Sequence, residues 1–594
     1  MWLFIAVASA ATPLSVSVEP VVLPEPGSWL MEAKRGTITV RPTESGFHLS
    51  YPAGTQASLC SPRVPVLGGR SLRLTGEVRG DSTLGDTAGL HLKFWGVEEE
   101  LHVARRRVEA GDQGWEPLLI LATAPPGATE ASLCVDLRMV KADAPGGLSL
   151  SPLRLVSLSA ESRKEKLPLQ RILLVTVEAL RYDHVSGHGY ARATSPRLDA
   201  LARSGASFQQ HYTNAPYTHP SLATLLTSLF PTTLGFLDNQ PTMPRAIRTL
   251  ADRLAEAGYV TAAFSSQYVL SNRYGLNQGF HYYRNWPNDT NSSRLNDELL
   301  PWLELHEQDN SFVWVHYFDP HGPYRPPDSF RAPFLTDALY LGDNATLPTG
   351  PGSGPFIPNY VQDKSKGGSP NNKRHHYVAG YDADIAWWDS ELGRLCDFLA
   401  QRGWGADTLV MVTPDHGESM TDHDKYFAHG TLYQHDLHIP LVVSLPGVVP
   451  AGTLVPQRSS HLDLLPTLLD YAGVPATGLA GQSLRPAIEG KSYTPPAFTA
   501  AVVGRAEKLR YAAVNDGRYK IITDGSFQLV EAYDRVKDPE ERLNLVARAP
   551  REVARMASEF SAWFAQTFPV SAASEVQALD DEDASRLRSL GYLE

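Results

Sequence analysis

At residues 161–166, Glu-Ser-Arg-Lys-Glu-Lys, the hydrophobic period of this chain changes, and one layer architecture cannot serve both sides. Before this point apolar and polar residues alternate, as in Gly36–Val40, Ser71–Val78, Gly89–Trp95, Pro117–Ala122 and Ala131–Val140. Gly, Pro and Asp separate these runs, and no amphipathic helix interrupts them. Successive side chains of a strand point to opposite faces, so period two marks half-buried strands, and many such strands in series fold as a β-sandwich or jelly roll. Beyond the junction the apolar runs are short, continuous and separated by helical patterns. Ile172–Val177, Val260–Phe264, Phe312–Tyr317, Leu409–Thr413 and Pro440–Ser444 read as strands buried on both faces. Ser195, Pro196 and Gly205 bracket one helix, and Thr249–Ala257 makes another. Such alternation predicts an α/β domain, a mostly parallel sheet sandwiched by helices.

The expected organisation follows. Residues 1–11 read as a signal peptide, 12–160 as a β-sandwich accessory domain and 161–170 as a linker. Residues 171–497 form the α/β domain, and 498–594 a small C-terminal antiparallel subdomain. The subdomain's strands include Arg510–Val514 and Tyr519–Thr523, and it ends in an amphipathic stretch with Leu587, Leu590 and Tyr592. Between Pro348 and His376 lies a Gly-, Pro-, Asn- and Lys-rich loop, long enough to be functional or mobile. The leader is apolar and ends in Ala8-Ser9-Ala10, a signal-peptidase pattern, but it is short and lacks a basic start, so an ordinary strand is the alternative. Export to the periplasm or the extracellular space is the expectation. No other apolar run approaches the ~20 residues that span a bilayer.

Charge excludes one class of function. The 53 Lys and Arg against 65 Asp and Glu give a net charge of -12, with no basic stripe for a nucleic acid. The three cysteines, Cys60, Cys134 and Cys396, are too few for a thiolate cluster. Cys60 and Cys134 sit in predicted strands, either as buried thiols or as a disulfide.

The chemistry lies where strands end, because open α/β sheets bind ligands beyond the carboxyl ends of their strands. The first strand runs into Glu178-Ala179-Leu180-Arg181, a second into Phe318-Asp319-Pro320-His321, and a third into Pro414-Asp415-His416-Gly417-Glu418. A lone acid after a strand is usually a cap; acids and imidazoles delivered to one rim are a metal site. Thr218 stands just before a helix that Pro220 opens and that Leu222, Leu225, Leu226 and Leu229 bury. Free N–H groups and the dipole there favour an anion, although an N-cap is the commoner task for such a threonine.

These segments resemble the sulfatase family of the alkaline phosphatase superfamily. The resemblance rests on Val177–Asp183, Thr218-His219-Pro220-Ser221-Leu222, Pro320–Tyr324, Asp415–Glu418 and His429-Gly430-Thr431-Leu432-Tyr433, in that order. Flanking pieces also look similar: Tyr381–Arg394, Asp463–Thr467 and Tyr533–Leu545. It implies an alkaline-phosphatase-like fold and an ester hydrolase. Two departures stand out. Thr218 occupies the position of the Cys or Ser that becomes formylglycine, and Leu222 replaces the motif's arginine, so no formylglycine is expected.

The set Glu178, Thr218, Asp415 and His416 instead resembles the one-metal site of the lipoteichoic acid synthase and phosphoethanolamine transferase branch. That likeness implies Thr218 as nucleophile, with His321 and His429 at the substrate anion or leaving group and His423 as a further substrate contact. Mixed carboxylate and imidazole ligands suit one divalent ion, Zn or Mn rather than Ca or Mg. The expected function is hydrolysis of phosphate or sulfate esters, of small molecules, glycans or lipids. Phosphoryl transfer and a catalytically inactive binding protein are the alternatives. The N-terminal region resembles carbohydrate-binding modules; a packing or spacer role is the first expectation for it, and a carbohydrate partner is the alternative.

Overall fold

A computed structural model gives the fold. It describes residues 167–567, except 240, 245, 287–290, 344, 352, 363–370 and 506–507, together with strands and adjoining residues between 2 and 158. The chain divides into two compact units, residues 1–166 with 278–282 and residues 167–277 with 283–594.

In the first unit the described strands make two six-stranded sheets with antiparallel pairing throughout. Ser71–Gly80, Ala88–Trp95, Glu116–Thr123 and Glu130–Leu137 occupy the segments in which period two is clearest. Cys60 and Cys134 lie directly opposite each other on paired strands and are joined by a disulfide. Trp2–Ile5 is a strand paired with Glu19–Val22. The rest of the expected leader (residues 1 and 6–11), linker residues 161–166, strand residues 36–38 and 138–140, and the stretch around Leu587, Leu590 and Tyr592 lie outside the described residues.

The second unit is built on an eight-stranded sheet. Its strands are β1 (Arg171–Val177), β2 (Ala206–Tyr212), β3 (Val260–Ser265), β4 (Tyr282–Asn285), β5 (Ser311–Tyr317), β6 (Thr408–Pro414), β7 (Val442–Ser444) and β8 (Thr453–Ser460). Their order is β4-β3-β5-β1-β6-β7-β2-β8. β3, β5, β1 and β6 are mutually parallel, β2 pairs parallel with β8, and β7 runs antiparallel to both its neighbours. Every residue of β1, β5 and β6 is buried, which is why these runs are continuous rather than alternating. Each buried Ile, Leu or Val contributes about 1.5–3 kcal/mol of gross transfer energy, so the least polar strands take the sheet centre.

The helices that matter for the site are α1 (Pro196–Ser204), α2 (Thr218–Thr227), α3 (Leu250–Glu256), α4 (Ser292–Leu305), α5 (Arg374–Gln401) and α6 (Leu464–Ala472). α3 opens on a capping box in which Thr249 and Asp252 satisfy each other's backbone. α1 opens differently from its sequence signal. Ser195 does not cap it; the carboxylate of Asp389, from the middle of α5, accepts from the N–H groups of Arg197 and Leu198, both at 2.8 Å. All ten residues of α2 are buried, although Leu229 just beyond it is only half-buried. The loop from Pro348 holds two short paired strands, Thr349–Gly350 and Ile357–Pro358, and yields to α5 at Arg374.

A second sheet closes the unit: β9 (Thr499–Arg505), β10 (Lys508–Asn515), β11 (Tyr519–Asp524) and β12 (Leu529–Asp534), antiparallel and in sequence order. Helix α7 (Arg551–Thr567), for which the sequence offered no expectation, covers it. Val553, Met556, Phe560 and Phe564 of α7 pack with Val502, Val514 and Ile521 and with Phe230 and Leu462 from the α/β part, so one core joins both. Among the described residues no helix is long and apolar enough to cross a membrane.

Candidate active site

β1, β5 and β6 end level. Val177 is in register with Tyr317 on one side and Pro414 on the other. The ladder continues one residue further, with Glu178 N–H on the Tyr317 carbonyl at 2.9 Å and Asp415 N–H on the Val177 carbonyl at 3.1 Å. Two carboxylates therefore leave the sheet side by side. Ala179 follows at φ 55°, a left-handed conformation that costs a non-glycine residue energy. It is held there because its N–H donates to Asp415 Oδ1 at 3.0 Å and its carbonyl accepts from the Tyr381 hydroxyl at 2.7 Å. Gly417 is required for a different reason: a Cβ at this position would lie 1.8 Å from the His435 carbonyl oxygen.

Thr218 is the first residue of α2, with Tyr217 as its extended N-cap, so Pro220 is the third helical residue and not the first. The expected fan of free amides is absent. His219 N–H is taken by Asn239 Oδ1 at 3.0 Å, Pro220 has none, and Ser221 N–H bonds the Tyr217 carbonyl. What the helix end offers is its dipole. The Thr218 hydroxyl does not turn back on its own helix; it donates to Glu178 Oε1 at 2.7 Å. Ser221, one turn along, donates to the Asp415 carbonyl at 2.6 Å, tying the helix to the end of β6.

His416 completes the convergence. Its Nδ1 lies 2.8 Å from the Gly417 carbonyl, which assigns the proton to that nitrogen. Nε2 then faces Glu178 Oε1 at 3.5 Å and Asp415 Oδ2 at 3.4 Å. Nε2 and Asp415 Oδ2 are buried without a hydrogen-bond partner. Lone pairs from two carboxylates and an imidazole thus meet out of water, which is costly unless a positive charge sits among them.

The buried charges act on one another. Burial raises Asp415 to about 7, helped by the Glu178 charge. Burial opposes the charge on His416, yet Asp415 and Glu178 push it up to about 10. Glu178 stays well below the usual carboxylate range despite burial, because His316 hydrogen-bonds it and the His416 ring stands beside it. The donor set (two carboxylates, one imidazole, one hydroxyl) could hold a divalent metal. Oxygens of Glu178 and Asp415 and a ring nitrogen of His316 also lie within 4.8 Å of one another.

The remaining predicted residues divide. His321 and His429 are buried beside the cluster, their rings 5.6 Å apart, with His429 4.2 Å from the His416 ring. Burial lowers both below the ordinary imidazole range, further for His429 because His416 is its neighbour. His423 is not gathered here. It sits at φ 47°, stacks on Tyr433 at 3.6 Å and meets the Glu540 carbonyl at 3.1 Å.

Three residues in the site carried no role in the sequence reading. His316 Nε2 lies 2.8 Å from Glu178 Oε2, and Gln267 Nε2 donates to the same oxygen at 3.2 Å. Glu418, raised to about 7 by burial, lies 3.5 Å from His429 Nδ1. Glu418 was within the quoted Asp415–Glu418 motif; His316 was legible only as a polar interruption of an apolar strand, and Gln267 had no signal.

Known proteins share the family and the fold of the second unit. Residues 170–474 match the sulfatase family, and 422–562 match the C-terminal region of N-sulphoglucosamine sulphohydrolase. The N-acetylglucosamine-6-O-sulfatase of Bacteroides thetaiotaomicron is 23% identical over 491 residues, covering 67% of this chain and 87% of that protein. A protein solved in complex with its substrate D-glucosamine-2-N,6-O-disulfate superposes with a TM-score of 0.58 at 20% identity, over 69% of this chain and 100% of its own. The phosphonate monoester hydrolase of Agrobacterium radiobacter gives 0.53 at 22% identity, over 67% and 95%. The fold of the second unit is alkaline-phosphatase-like.

Proposed function

Because this chain belongs to the sulfatase family, we propose that it is a metal-dependent hydrolase of phosphate or sulfate esters that uses Thr218 as nucleophile. One observation carries the reading: the Thr218 hydroxyl, buried at a helix start, caps nothing and gives its proton to Glu178 Oε1 at 2.7 Å. Glu178, Asp415, His416 and Thr218 would hold the ion, and their mixed N and O donors favour Zn or Mn. When bound, a divalent cation supplies the positive charge that stabilises an alkoxide and a non-bridging ester oxygen.

The chain's own residues then account for the rest. Thr218 Oγ1 attacks phosphorus in line as its proton passes to Glu178. The new O–P bond makes a phospho-threonine as the ester O–P bond breaks, and the departing oxygen takes a proton from solvent and leaves as an alcohol. The buried rings of His321 and His429 stand where they hydrogen-bond the anion and the leaving oxygen. Water then attacks phosphorus, the Thr218 O–P bond breaks, phosphate leaves, and the proton held by Glu178 returns to Thr218 Oγ1. Thr218 and Leu222 stand in place of the motif's modifiable residue and arginine, so this chemistry proceeds without formylglycine.

Residues 12–160 form a β-sandwich accessory domain, 171–497 the catalytic domain and 498–594 its C-terminal subdomain. The Cys60–Cys134 disulfide supports export, since such bonds persist in oxidising compartments. The names of the relatives point to a sulfated sugar as substrate. The deciding assay is a panel of sulfate monoesters and phosphate mono- and diesters, each with Zn, Mn, Mg and Ca. Phosphoester turnover that needs Zn or Mn and is lost in Thr218→Ala is the expected result. Turnover unchanged in Thr218→Ala would overturn the threonine mechanism.

A further inference from the structure

We propose that His316 is a positioning residue, fixed as a hydrogen-bond donor by a chain that starts at Trp314, which reserves one oxygen of Glu178 for the protein and leaves the other to the cation and Thr218. The inference rests on the metal centre proposed above and goes beyond it in stating how the carboxylates are allowed to bind. An indole N–H only donates. Trp314, fully buried in β5, donates to Thr176 Oγ1 at 2.8 Å, and Thr176 Oγ1 lies 2.8 Å from His316 Nδ1. The competing acceptor for the Thr176 proton, the Val315 carbonyl, is at 3.4 Å. Thr176 therefore donates to Nδ1, and the His316 proton resides on Nε2, pointing at Glu178 Oε2 at 2.8 Å.

Spacing separates this ring from His416. Two atoms bound to one small cation at about 2.0–2.1 Å, at a tetrahedral angle, stand about 3.3 Å apart. His416 Nε2 is 3.5 Å from Glu178 Oε1 and 3.4 Å from Asp415 Oδ2, close to the separation of co-ligands. His316 Nε2 at 2.8 Å from its oxygen has the separation of a hydrogen bond.

The same division recurs in Asp415. Its Oδ1 accepts from the N–H groups of Ala179 at 3.0 Å and His416 at 2.7 Å, while Oδ2 has no hydrogen-bond partner. In Glu178, Gln267 joins His316 on Oε2. Each carboxylate thus presents one oxygen only. Calcium takes six to eight oxygens, often from bidentate carboxylates. A site of two single oxygens, one imidazole nitrogen and one hydroxyl selects a four-coordinate ion against it.

The test is cation binding by calorimetry on the metal-free full chain, with Zn and with Ca, for wild type, His316→Gln, His316→Leu and His416→Gln. The amide of His316→Gln retains a donor, so its Zn affinity should stay within about threefold of wild type. His316→Leu should lose about 10- to 100-fold, the usual cost of losing an outer partner of a ligand, and its preference for Zn over Ca should narrow. His416→Gln should lose more than either. Should His316→Leu fail to fold, the ring proton of wild type is read directly by 15N–1H correlation in the metal-free protein, where Nε2–H is expected. A loss in His316→Gln as large as in His416→Gln, or a bare Nε2, overturns the positioning role while leaving the metal centre intact. Wild type that binds neither ion overturns both.

Discussion

Two helices of this molecule begin in the same way in sequence and in opposite ways in space. α1 opens on Ser195-Pro196, α2 on Thr218-His219-Pro220. At α1 the start is secured from outside, by an Asp389 carboxylate that takes two backbone N–H groups, while the Ser195 hydroxyl donates to Asp199 at 3.2 Å. At α2 the hydroxyl is spared from capping and spent on Glu178. A polar side chain at a helix start is thus either structural or chemical according to what the neighbouring strand end delivers. Beside Thr218 that is an acid on β1; beside Ser195 there is only more scaffold.

The comparison breaks most easily at Thr218. Removing a covalent nucleophile costs about a thousandfold or more in turnover, so Thr218→Ala should lose nearly all activity on the preferred ester while its unfolding transition by calorimetry stays near wild type. A cap would behave in reverse, with about 1 kcal/mol of stability lost and turnover kept. Thr218→Ser keeps the hydroxyl and should retain partial activity. Thr218→Cys should gain no sulfatase activity, because Leu222 still stands in place of the motif's arginine.

Chelation comes next. Stripping the cation should abolish turnover and lower stability, by about 2.7 kcal/mol if the free ion had been at a hundred times its Kd; an unchanged melting curve with and without chelator would dissolve the contrast between the two helix starts. At α1 the expected signature is inverted. Asp389→Ala leaves two N–H groups unpaired, of which the buried one, at Leu198, costs about 1–3 kcal/mol before relaxation, so denaturant unfolding should show a clear loss while kcat of the folded fraction holds.

The smallest effect sharpens rather than breaks the comparison. Burial raises Asp389 to about 7 although two N–H groups favour its ionised form. A carboxyl raised in the native state binds more protons there than when unfolded. Its contribution is full below about pH 4, the unfolded carboxyl value, and is lost as pH rises towards 7. Between pH 4 and 7 the stability of Asp389→Asn should therefore rise relative to wild type. A constant difference across that window would mean that Asp389 titrates normally.

Much of this was legible in the chain itself. The all-buried runs Ile172–Val177, Phe312–Tyr317 and Leu409–Thr413 announced central parallel strands, because only a sheet covered on both faces tolerates continuous apolar sequence. Glu178, Asp415 and His416 were findable because they follow those runs closely, and Thr218 because it stands at the start of an apolar helix that carries a proline in its first turn. Asp389 and Gln267 were not findable. Each acts on a residue 89 or more positions away, the shortest being the separation of Gln267 from Glu178, and local pattern carries no information about such partners. α7 was missed because its apolar face, Val553, Met556, Phe560 and Phe564, has meaning only against the core that receives it.

What the sequence by itself determined is therefore the strand and helix alternation of the second unit, and the kinds of residue delivered to its rim, since both follow from period and from chain order. What only the tertiary structure decided is the use of each atom there. His316 and His416 are the same residue type on the same rim, one spaced from Glu178 as a hydrogen-bond donor and the other as a co-ligand. Which nitrogen carries the proton depends on partners that parallel pairing brings together across 138 positions or more, at Thr176 and Glu178, and on the turn at Gly417. Sequence lists donors and acceptors; only the fold puts them within 3 Å of each other and so fixes their roles.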